Sequence, residues 1–384
     1  MPAWKACTLG DLVTFQRGHD LPKSEVIEGP YPIAGSNGII GYHHKFSTKA
    51  PSITIGRSGN IGNPHFYNKD FWAHNTTLFV KEFKGSDPLF VYYLLKTMDF
   101  GGHNSGSAVP SLNRNFIHPM KIRIPESIEE QKAIAKILSA FDEKIELNRR
   151  MNATLEAMAR ALFKAWFVDF EPVHANRENR PSTSASPEIA KLFPSEFENG
   201  IPKGWLVRKL GDTLSIAYGK NLPTTHLIDS GYPVFGGNGI IGYHSTYLYE
   251  NPQVLVACRG AASGKINQSR PRSFVTNNSL ILQTNQETEL GFNYLKHFML
   301  GVDATAFVTG SAQPQVTIEN IKHLQTLIPN VDALKSFEGF GSPLEELIFR
   351  NQVQSESLAQ VRDSLLPRLI SGKIQVTADS EGIE

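Results

Sequence analysis

Apolar residues recur at seven-residue intervals in two long segments of the chain. Residues 127–170 contain no Pro or Gly, and one heptad line there consists of Ile134, Phe141, Asn148, Leu155 and Leu162. Residues 331–372 repeat the pattern with Leu344, Asn351, Leu358 and Leu365. Apolar positions at this spacing predict two long helices that pair along a coiled-coil seam.

Asn148 and Asn351 interrupt these apolar lines at equivalent positions, under an offset of 203. A lone Asn in a seam lowers stability but fixes register, because every misaligned pairing buries an unsatisfied amide. We therefore predict that both residues set the register of one antiparallel pair. The alternative is that each Asn is solvated on a separate surface helix. An antiparallel pair would place two globular regions at opposite ends of a rod.

The segments that precede the two helices are copies of each other. Trp4–His43 aligns with Trp205–His244 without a gap, and 18 of the 40 pairs are identical. The block Asn37–His43 returns unchanged as Asn238–His244. Apolar, strand-like runs flank these Asn-Gly turns, which favour tight hairpins because Asn and Gly accept positive φ. Each copy is therefore a domain of about 125 residues.

The pattern predicts an α+β protein with a duplicated architecture. Two duplicated α/β domains are separated by an antiparallel two-helix coiled coil, and an approximate two-fold axis relates the halves. The expected boundaries are 1–125 for the first domain, 126–170 for the first long helix, 171–200 for a linker loop, 201–330 for the second domain, 331–372 for the second long helix and 373–384 for a polar tail.

The repeat also separates scaffold positions from candidate binding positions. Positions identical in both copies are expected to serve the shared scaffold, whereas polar loop positions that differ can give each copy its own target. Arg57 and Arg259 lie in matching Gly-rich segments, where they could contact phosphate or guanine or form a surface salt bridge. Arg, Asn and Gln side chains suit bidentate reading of base edges. The candidate DNA-binding residues are Lys23, Ser36, Arg57, Asn60, Asn104, Asn113 and Arg114 in the first copy and Lys220, Thr224, Arg259, Lys265, Gln313 and Gln315 in the second.

Composition argues against a membrane-spanning protein and against a redox-active cysteine pair. No apolar run approaches the roughly 18 residues that a membrane span needs, and Cys7 and Cys258 form no CxxC motif. We therefore expect a cytoplasmic protein with unpaired thiols. The formal net charge is +1, and its mild positive excess in both copies is compatible with nucleic-acid binding through local patches.

Catalytic and metal-binding motifs are not found. Gly260–Ile266 resembles a phosphate loop, but its spacing is one residue short and Ile266 replaces Ser or Thr. The histidines lack metal-ligand spacing. We predict a protein that is non-catalytic on its own and has no metal site. Two alternatives remain, a self-contained DNA nuclease and a dimerising scaffold that makes no DNA contact.

Several stretches resemble the specificity subunit of type I restriction–modification systems. The most specific are Glu129–Ala135 followed by Asp142–Asn148, and Ala161–Phe170, which are similar to the central helical region of that family. Ile201–Trp205 resembles the usual opening of its second domain, and Ser364–Gly372 resembles its usual close. The resemblance covers nearly the whole chain.

The resemblance implies that each domain reads one half of a bipartite duplex while the helices fix the unread spacer. It also implies two methyltransferase (modification) subunits that carry S-adenosylmethionine, and motor-nuclease (restriction) subunits that use ATP and Mg, with no cofactor in this chain. Partner helices would pack on the coiled coil, and the candidate contacts are Met151, Met158, Trp166 and Phe167; the alternative is that these side chains bury in the intramolecular seam. The second helix has Leu369-Ile370 instead of Trp166-Phe167, so the two partner sites are expected to be unequal.

Overall fold

The computed structural model describes residues 3–101, 111–284, 290–310 and 313–376. The chain forms two compact units, one made of residues 1–148 with 353–384 and the other of residues 149–352. Each unit contains one copy of the repeat and parts of both long helices. The fold belongs to the predicted α+β class.

In its described residues, the first copy is built from three sheets and three short helices. Two of the sheets are antiparallel, and the third is mixed. Its elements are β1 (Trp4–Thr8), α1 (Leu9–Leu12), β2 (Thr14–Arg17), β3 (Tyr31–Gly35), β4 (Gly38–His43), β5 (Ser52–Gly56), β6 (Pro64–Tyr67), β7 (Trp72–Ala73), β8 (Thr77–Glu82), α2 (Pro88–Lys96), α3 (Arg114–Ile117) and β9 (Lys121–Pro125). Strands β2, β8, β5 and β6 form one sheet in that order, β4, β3 and β7 form another, and β1 pairs with β9. All five residues of β5 are buried, because the apolar core covers this central strand.

The first long helix, α4, covers Ile128–Phe167, close to the predicted 126–170. It begins after Ser127, whose hydroxyl accepts hydrogen bonds from the backbone N–H groups of Glu129 and Glu130 at 3.1 and 3.4 Å. This cap satisfies N–H groups that have no partner within the helix. The two glutamates also lie at the positive end of the helix dipole.

The predicted linker is an ordered segment rather than a plain loop. It contains the short helices α5 (Glu171–Arg177) and α6 (Pro187–Ala190). The Glu171 carboxylate accepts hydrogen bonds from Ser182, Thr183, Ser184 and Arg180. Burial raises the pKa of Glu171, but these hydrogen bonds outweigh that effect and hold its pKa well below the usual range. The segment is therefore organised around one ionised carboxylate.

The second copy repeats the strand order of the first. After the short β10 (Phe197–Glu198) and β11 (Ile201–Pro202), its elements are β12 (Leu206–Lys209), α7 (Leu210–Thr213), β13 (Leu214–Tyr218), β14 (Tyr232–Gly236), β15 (Gly239–His244), β16 (Val254–Ala257), β17 (Ile266–Gln268), β18 (Phe274–Val275), β19 (Ser279–Thr284), α8 (Phe292–Leu300), α9 (Ile318–Ile321) and β20 (Gln325–Ile328). Strands β13, β19, β16 and β17 form the four-stranded sheet, β15, β14 and β18 the three-stranded sheet, and β12 pairs with β20. The repeat seen in the sequence is therefore a repeat of topology.

The second long helix, α10, covers Val331–Ile370. The Asn330 side-chain oxygen caps it by accepting from the Ala333 backbone N–H at 2.8 Å. Gly341 lies where α8 approaches, and a Cβ there would come within 2.6 Å of the Asn293 Cγ atom. A glycine in this helix therefore permits close contact with the second copy.

Helices α4 and α10 pair in antiparallel fashion within each unit. In the first unit, Asp142 forms an ion pair with Arg362, while Asn148 contacts Gln354. Contacts that lie later in α4 are thus made to positions earlier in α10. In the second unit, Asn152 bonds to Asn351, whereas Trp166, further along α4, contacts Phe337. The predicted antiparallel sense is confirmed in both units.

Each unit has its own core, formed by one copy of the repeat and the ends of both helices. In the first unit, Leu138 of α4 and Leu369 of α10 pack into the core of the first copy. In the second, Trp166 of α4 and Phe337 of α10 pack into the core of the second copy. No helix in the described residues is both long and apolar enough to cross a membrane.

Candidate DNA-recognition surfaces

Three loops of the first copy meet at Arg57, directly after β5. The Arg57 N–H donates to the Thr76 carbonyl at 2.8 Å, and the Arg57 carbonyl accepts from the Leu112 N–H at 2.8 Å. The Arg57 guanidinium donates to the Asn75 carbonyl at 3.3 Å. Asn113 follows Leu112 and caps α3, since its side-chain oxygen accepts from the Asn115 N–H at 3.0 Å. The structure thus gathers the predicted Arg57, Asn113 and Arg114 segments.

The β3–β4 turn lies beside the same loop. A Cβ on Gly59 would lie 3.6 Å from the Ser36 hydroxyl oxygen. A Cβ on Gly56 would overlap the Asn60 carbonyl oxygen, so this position requires glycine. Ser36, Arg57 and Asn60 therefore belong to one surface.

Two other predicted residues do not join this group. Lys23 is exposed in a separate 3₁₀ turn, Lys23–Glu25, and Asn104 lies outside the described residues.

Asp20 and Asn75 are members of this surface that sequence reasoning missed. The Asn75 amide donates to the Asp20 carboxylate, and Arg17 pairs with Asp20 at 3.1 Å. The hydrogen bond from Asn75 is the main cause that lowers the pKa of Asp20, and the positive charge of Arg17 lowers it further. The sequence contained a sign of the importance of Asn75, because Asn75 aligns with Asn277 in the second copy.

The second copy gathers the corresponding loops around Arg259. The backbones of Arg259 and Gln315 form an antiparallel bridge, and the Gly260 N–H donates to the Pro314 carbonyl at 3.1 Å. The Lys265 ammonium donates to the Asn238 side-chain oxygen at 2.6 Å, which links this loop to the β14–β15 turn. The predicted residues Arg259, Lys265 and Gln315 therefore lie together.

The remaining candidates of the second copy lie on neighbouring segments. Gln313 is exposed in the segment that leads to Gln315. Lys220 forms a parallel bridge with Thr276, and its carbonyl accepts from the Asn277 N–H at 3.1 Å. Thr224 begins a 3₁₀ turn, Thr224–His226, which matches the turn of Lys23 in the first copy.

Both surfaces carry an excess of positive charge. The residues placed on the first surface include the basic Arg57 and Arg114 and one acid, Asp20, which is paired with Arg17. Residues 232–272 contain four Lys or Arg and a single acid, Glu250, which is paired with Arg272 at 2.9 Å. Within the described residues, no group of three or more His, Cys, Asp or Glu side chains could hold a metal ion. Cationic and amide donors on Gly-rich loops suit contact with phosphates and base edges.

Comparison with known proteins identifies the family. The model of the type I restriction modification DNA specificity domain matches residues 1–157 and 202–336. The chain belongs to this family. The specificity subunit of the type I restriction enzyme MjaIX from Methanocaldococcus jannaschii is 29% identical over 313 residues, which cover 75% of this chain and 69% of that protein. The HindI specificity subunit of Haemophilus influenzae is 25% identical over 329 residues, covering 69% and 71%.

A solved structure shows the same fold. The S subunit of a type I restriction-modification system from M. genitalium superposes with a TM-score of 0.68 at 18% identity, covering 96% of both chains. The predicted family is thus confirmed, and DNA target recognition in type I restriction–modification is the role of this specificity subunit.

The two seam asparagines of the specificity subunit are buried and hydrogen-bonded. Asn148 donates to Gln354 at 2.9 Å and to Ser355 at 3.2 Å, and Asn351 donates to Asn152 at 2.8 Å. Their exposed fractions are 1% and 7%, so neither is a solvated surface residue. Each lies in a polar contact between α4 and α10 within its own unit; their control of register stays a prediction.

The four candidate partner-contact residues fall into two groups. Trp166 and Phe167 are 1% and 5% exposed inside the core of the second unit, so they are not available on the surface. Leu369 and Ile370 fill the corresponding place in the first unit's core. Met151 is half-buried, and Met158 is 56% exposed. Of the four, Met158 offers the largest accessible surface to a partner.

Proposed function

We propose that this specificity subunit reads a bipartite duplex DNA target, one half with each copy of the repeat. The observation that supports this most strongly is the recurrence of one loop arrangement on one topology with different side chains. The backbone bridge between Ser58 and Ser111 in the first copy returns as the bridge between Arg259 and Gln315 in the second. The same place in the scaffold therefore carries serine in one copy and arginine in the other, and the residue before it is Arg57 in the first copy and Cys258 in the second. Two half-sites of different sequence require different hydrogen-bonding side chains, and the two copies present such side chains on the same backbone fold.

Affinity and sequence preference would come from different contacts. Arg57, Arg259 and Lys265 lie on loops whose backbones approach closely, and they would neutralise phosphates and make binding weaken as salt rises. Amide side chains such as Asn113 and Gln315 would contact base edges, because Asn and Gln pair well with adenine. The helices would fix the unread spacer between the halves.

We also propose that the subunit holds two modification subunits. Exposed apolar side chains occur at equivalent positions of the two helices under the offset of 203. Ile137 of α4 matches Phe340 of α10, and Met158 of α4 matches Val361 of α10; all four are exposed. Surface apolar residues repeated in this way suit one partner that binds twice.

The chemistry would then reside in the partners. We propose that the modification subunits supply S-adenosylmethionine and that motor-nuclease subunits supply ATP and Mg, while this chain acts as a non-catalytic reader in the cytoplasm. The alternatives of a self-contained nuclease and of a scaffold without DNA contact predict different outcomes in the test below.

The test is long-read mapping of methylated adenines in cells that express this chain with its modification subunit. The expected result is one methylated motif made of two short specific blocks that flank a spacer of fixed length. Cells with the modification subunit alone should lack the motif. A continuous motif, or methylation that persists without this chain, would contradict the proposal; DNA cleavage by the purified chain would favour the nuclease.

A further inference from the structure

The β3–β4 hairpin and its copy, β14–β15, expose the same apolar residues. Strands β4 and β15 have the identical sequence Gly-Ile-Ile-Gly-Tyr-His. Ile39 and Ile40 are 53% and 56% exposed, and Ile240 and Ile241 are 40% and 44% exposed. Burial in a core does not account for this identity, because the adjacent apolar side chains at both sites are about half exposed. A surface ligand shared by both copies would account for it.

A β-bulge places the two isoleucines in the same way in each copy. In the first hairpin Ile33 pairs with Gly41 and Ala34 with Ile39, so Ile40 is the extra residue. The second hairpin has the same shift, with Ile241 as the extra residue. Bulges redirect side chains and recur near functional sites.

Each bulged isoleucine lies against a cross-strand glycine. A Cβ on Gly35 would lie 2.7 Å from Cγ2 of Ile40, and a Cβ on Gly236 would lie 2.9 Å from Cγ2 of Ile241. A larger residue at either glycine would displace the isoleucine, so both copies keep the same arrangement. An exposed apolar side chain at a bulge is suited to insertion.

The neighbourhood of both hairpins indicates DNA as the ligand. The second hairpin turn is bound to the DNA-recognition surface by the Lys265–Asn238 hydrogen bond, and the first turn lies beside Gly59 of the Arg57 loop. The first hairpin itself, from Tyr31 to His43, contains no acidic residue. A duplex that contacts these loops would reach the hairpins as well.

The apolar character of the isoleucines limits which part of a DNA duplex they can contact. Side chains that are identical in both copies cannot distinguish two different half-sites, and aliphatic groups do not bind phosphate. The apolar feature that every duplex sequence offers is the face of a base pair at a partly unstacked step. Apolar wedges of this kind kink DNA in known minor-groove proteins.

We propose that the Ile39-Ile40 and Ile240-Ile241 pairs are wedges that insert at a base step beside each half-site and deform the duplex without reading its sequence. This inference rests on the proposed function, because it requires that both copies contact one DNA duplex. It goes further by assigning a mechanical role to residues that the two recognition domains share.

The test compares I39S/I40S and I240S/I241S with the matched controls I27S and I228S, which remove exposed isoleucines outside the two hairpin strands. Each variant is assayed in the full complex with the modification subunit. The probe is a duplex with both mapped half-sites, end-labelled for bending by energy transfer, with 2-aminopurine beside one half-site at a time. Binding to duplexes with one scrambled half-site measures specificity.

Each double variant is expected to bind roughly tenfold more weakly, to bend the duplex less and to lose the 2-aminopurine signal beside its own half-site only. The ratio between the affinity for the intact duplex and the affinity for a duplex with one scrambled half-site should stay unchanged, and the controls should match the unsubstituted complex.

Unchanged bending and affinity in the double variants would overturn the proposal that the isoleucines are wedges, as would a change in that affinity ratio. Loss of the modification subunit with normal bending would show a protein-docking hairpin instead. If the unsubstituted complex fails to bind the bipartite duplex, the proposed function falls as well.

Discussion

Replacing residues 1–125 with the first domain of another specificity subunit is expected to change one half of the methylated motif completely. The second half and the spacer length should stay the same. The structure provides a suitable junction, because β1 pairs with β9 along its whole length from Trp4–Pro125 to Thr8–Lys121. A cut after Pro125 therefore keeps both strands of this closing sheet together.

The exchanged domain must still fit the helices that it packs against. Leu138, Leu366 and Leu369 belong to the first unit's core, so the donor should keep apolar residues of similar volume at the contacting positions. The reciprocal exchange of residues 205–329, closed by the β12–β20 pairing, is the matched control and should change only the other half. Mapping of the methylated motif in cells that carry each exchanged subunit measures both outcomes. A simultaneous change in both halves would contradict independent reading.

Replacing Trp166 with Ala is expected to destabilise the second unit by about 3–5 kcal/mol. The indole is 1% exposed and contacts Phe193, Phe337 and Phe340 at ring distances of 5.2 to 6.1 Å. Its N–H also donates to the Ser184 carbonyl at 3.0 Å. The substitution removes this hydrogen bond and leaves a large cavity between α4 and the second copy.

Chemical denaturation measures this effect, and two other variants serve as controls. Met158→Ala removes an exposed side chain of the same helix and should change the free energy of unfolding by less than about 0.5 kcal/mol. Leu369→Ala removes the residue that fills the corresponding place in the first unit and should cost about 2–5 kcal/mol. A stable Trp166→Ala protein that fails to bind the modification subunit would instead assign Trp166 to the partner interface.

The sequence was sufficient where a periodic pattern reports a local structure. Heptad spacing predicted both long helices to within three residues at each end, and the repeat predicted that the copies share a topology. The sequence matched the Gly-rich segments between the copies, and the structure adds that Ser36, Arg57 and Asn60 lie on one surface within the first copy; their contact with DNA stays a prediction. These features depend on spacing along the chain, which the sequence displays directly.

Features that depend on distant contacts could not be obtained in this way. Heptad position alone does not reveal that Trp166 faces the second copy, because a seam residue and a core residue have the same spacing. The ordered structure of residues 171–200 depends on several donors that converge on the Glu171 carboxylate from different positions along the chain. Identity between the copies predicts a shared scaffold, but sequence identity alone does not show that Ile39 and Ile40 are exposed in the structure.

The central claim is that two related domains read DNA at one set separation. Its most direct test is a binding titration of the complex with the modification subunit against duplexes in which the mapped spacer is lengthened or shortened by one base pair at a time. We predict tight binding at a single spacer length and a loss of about tenfold or more on either side, because one half-site is then displaced and rotated about the helix axis. Equal affinity across the series would contradict the account.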